Sequence, residues 1–384
     1  MSQTTVPQTT VSQTPGPGPI PLDEYPIHQT PLPMSRVAST DRNFYDRCYF
    51  NAHDRSGKIF LVTGLGVYPN LGVIDAYAVA RSGDKQWSVR FSDALAERSL
   101  DQSVGGYRIE VLEPLRQLRL ACRSPDGDLD FDLHWTAAFP AVAEEPHVLM
   151  SRNRPIVDSS RFCQLGSWAG RLSVGGREFE VTDDRWSGAR DRSWGIRPVG
   201  ESEPPGRAAE SLSGFWWLYA PLRFGSCAVI VILQENPDGY RTLSDAKRVW
   251  PDGKIEQLGW PRAEISYAPG TRHPVAARIH LADRAGQQVC VDIKTMTSVP
   301  LHVGAGYNGD PEWTHGRWMG PNWASTAVYD LTAPEVAGRI PWGVTDHLAR
   351  AVMDGEEGWG LFEHASIGRH DPSGFADWSS VAPG

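Results

Sequence analysis

The sequence predicts an all-β fold of two antiparallel β-barrels or barrel-like sandwiches with few short helices. Apolar and polar residues alternate with a period of two in short runs such as residues 107–112 and 129–133, which is typical of half-buried strands. The turn sequence Pro-Asp-Gly occurs three times, starting at Pro125, Pro237 and Pro251, and favours antiparallel meanders. Helical periodicity is scarce, which excludes doubly wound and TIM-barrel folds.

The number of short strands favours two β units over one, because a long antiparallel sheet must close or split to protect its edges. We expect residues 44–185 and residues 186–372 to form an N-terminal and a C-terminal β domain. Residues 1–35 are rich in Thr, Gln, Pro and Gly and predict a disordered tail, since they offer little apolar surface to bury. Residues 373–384 are expected to form a second short tail.

Composition excludes several classes of function. The chain of 384 residues carries a formal charge of −9 and no Lys/Arg cluster longer than a pair, so neither nucleic acid nor an anionic membrane is an expected partner. No apolar run is long enough to span a bilayer. The five cysteines are widely spaced and odd in number, which indicates reduced thiols, and without a signal peptide they predict a cytoplasmic protein.

Residues 185–197 are the most unusual stretch, with four arginines, one carboxylate and two indoles in thirteen residues. On a strand, alternation places Arg190, Arg192 and Trp194 on one face and Asp191 and Ser193 on the other. A bulge near Ser193 would be needed for Asp191 and Trp194 to face one site. Two interpretations stay open: Asp191 is a catalytic acid, or it belongs to a buried Arg–Asp network.

Residues 190–195, Arg-Asp-Arg-Ser-Trp-Gly, resemble the Asp-His-x-Trp-Gly-type signature of the carotenoid hydratase (hydroxyneurosporene synthase)-like superfamily, most closely its bacterial branch. The resemblance extends to residues 215–219, 343–347 and 359–364 and covers most of residues 44–370. It implies two lipocalin-like barrels that enclose an apolar isoprenoid or polyketide. A hydrophobic small molecule is therefore the expected partner.

Two departures from the family pattern concern the proton donor. Family hydratases have a histidine at the second signature position and an acid two residues after the downstream tyrosine, whereas this chain has Arg192 and, after Tyr219, Pro221. Acid chemistry would then need another donor. The candidates are the carboxyl groups of Asp191, Asp346 and Glu363 and the imidazoles of His315, His347 and His364.

The expected ligand-binding walls combine indoles with polar groups, because an indole face can stabilise a carbocation by about 0.5–2 kcal/mol. These residues are Arg192, Trp194, Trp216, Trp217, Tyr219, His315, Trp318 and His347, with Trp323 as a further indole candidate. The alternative is that the aromatic residues simply fill a core and the histidines are structural. Neighbouring strand residues such as Asp346 and His347 point to opposite faces, so no metal site is expected.

The expected function is binding of a terpenoid or polyketide-like molecule, with cofactor-free, acid-assisted hydration, dehydration, isomerisation or cyclisation. The alternative is a non-catalytic carrier or sensor that uses the same cavity. An enzyme should place an ionisable group with a shifted pKa in the cavity, whereas a carrier needs only apolar walls and orienting hydrogen bonds. A structural module that binds a protein partner is a third option. Neither the substrate nor the oligomeric state follows from the sequence.

Overall fold

The computed structural model describes residues 18–27, 39–97, 100–151, 154–200, 213–307 and 310–384. Within these ranges helix is confined to α1 (Pro334–Ala337) and to 3-10 turns at Pro21–Glu24, Pro69–Leu71, Ile340–Trp342 and Asp371–Ser373. All other regular structure is antiparallel β-sheet, which confirms the predicted fold class. No described helix is long and apolar enough to cross a membrane.

The strands follow one another in chain order. They are β1 (Phe44–His53), β2 (Phe60–Tyr68), β3 (Val73–Ser82), β4 (Lys85–Ala94), β5 (Gln102–Val104), β6 (Tyr107–Glu113), β7 (Gln117–Cys122), β8 (Leu129–Ala137), β9 (Val142–Ala143), β10 (His147–Ser151), β11 (Arg154–Val174), β12 (Arg177–Val181) and β13 (Ser187–Ile196). They continue with β14 (Gly214–Arg223), β15 (Ala228–Glu235), β16 (Arg241–Val249), β17 (Ile255–Gln257), β18 (Gly259–Tyr267), β19 (Pro274–Ala282), β20 (Gln288–Pro300), β21 (Trp323–Asp330), β22 (Thr345–Met353) and β23 (Glu356–Gly368).

These strands form two sheets, one a half-barrel and the other a nearly closed barrel. The first has the order β21-β4-β3-β2-β1-β13-β11-β8-β7-β6-β5, with β9, β10 and β12 also paired to β11. The second has the order β17-β16-β15-β14-β23-β22-β20-β19-β18. Its end strands approach each other, since β16 contacts β18. Closure of this kind protects exposed sheet edges.

Three layers of apolar side chains hold the two sheets. One layer fills the inside of the first sheet, around Trp135 and Trp168, and another fills the inside of the second, around Leu218 and Phe362. The third layer lies between the sheets and joins residues of β1–β3, β11 and β13 to residues of β14, β15, β22 and β23. Strands β1 and β2 are consequently buried along their whole length, because both of their faces are covered.

The predicted turns connect neighbouring strands. The Pro-Asp-Gly sequences at Pro125, Pro237 and Pro251 join β7 to β8, β15 to β16 and β16 to β17, all antiparallel pairs. Gly175 and Gly176 form the two-residue turn between β11 and β12, with φ angles of 54° and 73°. Both angles lie in the left-handed region that such a hairpin turn requires.

The sheets do not follow the expected segments 44–185 and 186–372. Strand β13 begins after residue 185, yet it pairs with β1 and β11 of the first sheet. Strand β21 also returns to that sheet, beside β4. The first sheet therefore takes two strands from the second half of the chain. Residues 373–384 are not a free tail either, because Arg272 donates hydrogen bonds to main-chain oxygens there, including that of Ser380 at 2.7 Å.

The expectation of a disordered N-terminal tail is wrong for residues 18–27. Glu24 is buried against the first sheet, where its two carboxylate oxygens accept hydrogen bonds from Arg190 at 2.6 and 2.8 Å. The amide of Leu115 donates to the same carboxylate at 2.8 Å. Composition did not reveal this contact because one charged residue makes it. The rest of the predicted tail, residues 1–17 and 28–35, lies outside the described residues.

We predict that Glu24→Gln strongly destabilises the fold. The side chains of Glu24 and Arg190 are only 3% and 2% exposed, and loss of one partner of a buried ion pair costs about 3–5 kcal/mol. The double variant Glu24→Gln/Arg190→Met should recover part of this loss, because no unpaired charge stays buried. Urea denaturation of the three proteins measures both effects. Equal stability of Glu24→Gln and the parent would contradict a structural role for this segment.

Candidate functional site

A cavity of about 420 Å³ lies in the layer between the two sheets. This position differs from the expected barrel interior, since the inside of each sheet is filled by its own apolar cluster. The wall combines charged, aromatic and aliphatic groups. It comprises Tyr45, Arg47, Cys48, Tyr49, Glu144, Glu145, His147, Leu149, Ile156, Val157, Ser159, Arg161, Asp191, Ser193, Arg197, Pro198, Phe215, Trp217, Gly306, Tyr307, His315, Trp342, Gly343, Val344, Glu363 and Ile367.

Asp191 reaches the cavity from β13 by strict alternation. The pairing of β13 with β1 and β11 is continuous from Ser187 to Ile196 apart from two positions opposite β1, and no bulge reorients the strand near Ser193. Asp191 and Ser193 therefore line the cavity, while Arg190 and Arg192 face the other way.

The environment of Asp191 favours its neutral form. Burial raises the pKa of Asp191 to about 7, and the guanidinium of Arg161 is the strongest influence in the opposite direction. The sequence-based expectation assigned the lowering of this pKa to Arg190 and Arg192. Those two side chains instead neutralise Glu24 and Asp46 on the opposite face.

Two further carboxyl groups come from the second sheet. Asp346 on β22 and Glu363 on β23 are direct partners across the strand pair. The hydroxyl of Tyr49 on β1 donates to Oδ2 of Asp346 at 2.6 Å, and Nε1 of Trp217 on β14 donates to Oε1 of Glu363 at 2.5 Å. The Tyr49–Asp346 hydrogen bond thus joins the two sheets beside the cavity.

The Asp346–Glu363 pair has a strong preference for holding a proton. Burial and the neighbouring charge of Glu363 raise the pKa of Asp346 well above its ordinary value. Burial also raises the pKa of Glu363, against the hydrogen bond from Trp217. Two adjacent buried carboxyl groups cannot both ionise without a large Coulomb cost. Asp346, which does not itself line the cavity, is the protonated member behind Glu363.

Arg161 supplies a positive charge next to these acids. Its Nε lies 2.5 Å from Oε2 of Glu144, and its guanidinium covers the rings of Tyr219 and Trp217 at 4.6 and 5.5 Å from their centroids. The Glu144 carboxylate neutralises this arginine. The covered indole face of Trp217 is not free to stabilise a carbocation.

The opposite part of the wall is apolar. Phe215 and Trp217 stack with their rings nearly parallel, at 13° and 6.4 Å between centroids, and His147 stacks on the same indole at 5.8 Å. Aliphatic side chains such as Ile156 and Ile367 complete this surface. The cavity is thus amphipathic, which is typical of sites for small apolar molecules with a few polar groups.

The structure brings six of the predicted site residues into the layer between the sheets. Asp191, Trp217, His315 and Glu363 line the cavity, and Asp346 and Tyr219 lie behind its wall. Five others lie elsewhere: Arg192, Trp194, Trp216, Trp318 and His347. The histidine that does line the cavity, His315, has its Nε2 on the oxygen of Ala305 at 2.5 Å.

Alternation explains most of the residues that do not reach the cavity. Arg192 shares the face of Trp194 and pairs with Asp46 at 2.8 Å. Trp216 and His347 point into the second sheet, where Trp216 stacks on His370 and His347 Nδ1 lies 3.0 Å from the oxygen of Phe362. Trp318 and the additional candidate Trp323 do not line the cavity, and Trp318 is half exposed.

Several cavity residues lie outside the motifs identified from sequence. Tyr45, Arg47, Tyr49 and Asn51 recur at every second position of β1, and a strand buried on both faces has no ordinary reason for such a polar row. This pattern is the signal that indicates the site. Arg161 and Tyr307 stand in no pattern that would identify them.

Within the described ranges, no three histidine, cysteine or acidic side chains are grouped so that they could hold a metal ion. The titratable groups of the cavity are instead distributed over both sheets.

Comparison with known proteins gives a family and a fold. A family model described as a family of unknown function, DUF8625, matches residues 20–376. A candidate AttH protein from Nitrosomonas europaea has 15% sequence identity and a TM-score of 0.53, over 84% of this chain and 92% of that one. Kievitone hydratase from Nectria haematococca has 12% identity and a TM-score of 0.50, over 87% and 90%. No curated protein matches the chain.

We predict that Asp191 makes the fold less stable as the pH rises. Its folded-state pKa is raised to about 7 from 3.8, so between these values the folded protein keeps a proton that the unfolded chain has lost. The free energy of unfolding then falls by up to about 1.4 kcal/mol per pH unit for this group. Asp191→Asn removes this dependence and should gain stability relative to the parent from pH 4 to pH 8.

Denaturant titrations at several pH values measure the effect, with the exposed Asp183→Asn as the control. A constant difference between Asp191→Asn and the parent across the pH range would contradict the prediction.

Proposed function

This chain belongs to the DUF8625 family, and we propose that it binds a hydrophobic small molecule between its two sheets and transforms it by acid-assisted chemistry with its own carboxyl groups. The reactions that fit are hydration or dehydration, isomerisation and cyclisation of a terpenoid or polyketide-like substrate. One observation carries the proposal: Asp191 and Glu363 approach the same amphipathic cavity from opposite sheets.

The two carboxyl groups suit general acid and base roles. Asp191, with a pKa raised to about 7, can give or take a proton near neutral pH, where such catalysis is most efficient. Glu363 has Asp346 directly behind it as a second proton holder. A proton that leaves Glu363 for the substrate can be replaced from Asp346.

In a hydration, one carboxyl group protonates a carbon of the alkene and water adds to the resulting cation. The proton released by that water returns to the other carboxylate, so the enzyme is restored. The reverse sequence dehydrates an alcohol, and attack by a second alkene in place of water closes a ring. Groups on opposite walls can act on opposite ends of the reacting bond, which supports one site for all three reactions.

Likeness to kievitone hydratase supports testing hydration first. A specific feature favours the alternative, a carrier or sensor without turnover. The indole face of Trp217 is covered by Arg161, so the one tryptophan packed beside Glu363 does not offer a surface for a carbocation. A carrier would need only the apolar wall and the hydrogen-bonding groups.

We predict that Glu363→Gln and Asp191→Asn reduce kcat by about 10²–10⁴-fold and leave ligand affinity within a few-fold. The assay incubates the protein with unsaturated terpenoids and polyketide-like phenols and follows gain or loss of water, or isomerisation, by liquid chromatography and mass spectrometry. Glu178→Gln, an exposed carboxylate on β12, is the matched control. Full turnover in both cavity variants would overturn the acid–base roles, whereas tight binding without turnover by the parent would favour the carrier.

A further inference from the structure

Two arginines lie over one tyrosine ring in the cavity wall. Arg47 on β1 has its guanidinium 5.1 Å from the ring centroid of Tyr307. Arg197, just after β13, lies 5.9 Å from the same centroid and 4.8 Å from that of Tyr45. All four side chains line the cavity. The cavity therefore has a positively charged aromatic corner.

Arg47 lacks the partner that the other buried arginines of this sheet have. Arg190 pairs with Glu24, Arg192 with Asp46 and Arg90 with Glu312. Arg47 is 4% exposed, and its Nη1 is buried without a hydrogen-bond partner among the described residues. A buried charge of this kind is costly unless something pairs with it.

The nearby acids do not fill this role by contact. Asp75 accepts a hydrogen bond from the amide of Gly316 at 2.6 Å, and burial raises its pKa to about 7. Asp191 has the same raised pKa, and Glu144 is already engaged by Arg161. No carboxylate of the described chain lies within ion-pair distance of Arg47, which leaves its donors directed to the cavity.

We propose that the ligand of this cavity is an amphipathic acid, whose carboxylate or similarly acidic enolate binds Arg47 and Arg197 beside Tyr307 while its apolar part packs on Phe215 and Trp217. The proposal rests on the proposed function and specifies the substrate class for the same site. A guanidinium presents paired donors that match the two oxygens of a carboxylate. A neutral hydrocarbon would leave the buried charge unpaired.

The strand geometry also orients such a ligand. Arg47 and Tyr49 lie on the same face of β1, two residues apart, which is about 7 Å along a strand. Tyr49 is opposite Asp191 and bonds Asp346. An acid group held at Arg47 would therefore place atoms several bonds from that group at the level of the carboxyl cluster. The arginines would position the substrate without taking part in proton transfer.

The test compares farnesoic acid with farnesol, which share an apolar chain and differ in the acid group, by calorimetry and tryptophan fluorescence at pH 8. The full-length protein should bind the acid at least tenfold more tightly than the alcohol. Arg47→Met should abolish this preference and leave the affinity for farnesol unchanged. Arg197→Met, which removes a less buried side chain, should reduce the preference and serves as the second variant if Arg47→Met does not fold.

The control is Arg123→Met, because the Arg123 side chain is 80% exposed; it should keep the full preference for the acid. Equal affinity for both probes in the parent, or an undiminished preference in both cavity variants, would overturn the inference while the apolar cavity of the proposed function stands. Failure of both probes to bind would instead count against the proposed function. Since an unpaired buried charge is removed, Arg47→Met without ligand should be at least as stable as the parent.

Discussion

The alternation of charge along β13 is the constraint on which the site depends. Arg190 and Arg192 face the inside of the first sheet, where each finds one buried carboxylate, Glu24 or Asp46. These two ion pairs hold the strand in a single register, because a shift by one residue would bury the arginines without partners. Asp191 stands between them and is directed to the other face, so its place in the cavity follows from the pairing of its neighbours.

The layer between the sheets combines groups that oppose one another energetically. The three acids Asp191, Asp346 and Glu363 lie within it with raised pKa values, and only Arg161 is close enough to counter them with a paired charge. A layer selected only for stability would be filled with apolar side chains, since buried charged groups seldom repay their desolvation. The polar cavity therefore lowers stability, and this cost is typical of a site kept for function.

Much of the fold and part of the site could be predicted from the sequence, because both depend on local patterns. Pro-Asp-Gly turns and period-two runs locate hairpins directly, and the strands around Pro125 and Pro237 followed. The resemblance on residues 190–195 and 359–364 led to Asp191 and Glu363. The contact of Glu24 with Arg190 did not follow, because the two residues are 166 positions apart and one lies in a segment of low-complexity composition.

The face that each strand turns to the cavity could not be predicted, and the reason is physical. In a sheet with one wet face, polarity identifies the buried side, but β1, β2, β14 and β15 are covered on both sides. Trp216 and Trp217 are then equivalent in the sequence, although one packs in the second sheet and the other on Glu363. What separates them is the docking of the two sheets, as in the hydrogen bond between Tyr49 and Asp346 across 297 positions. Polar residues at alternate positions of such doubly covered strands are therefore a better guide to a cavity than aromatic clusters, because burial alone accounts for the aromatic residues and does not account for Arg47 or Tyr49.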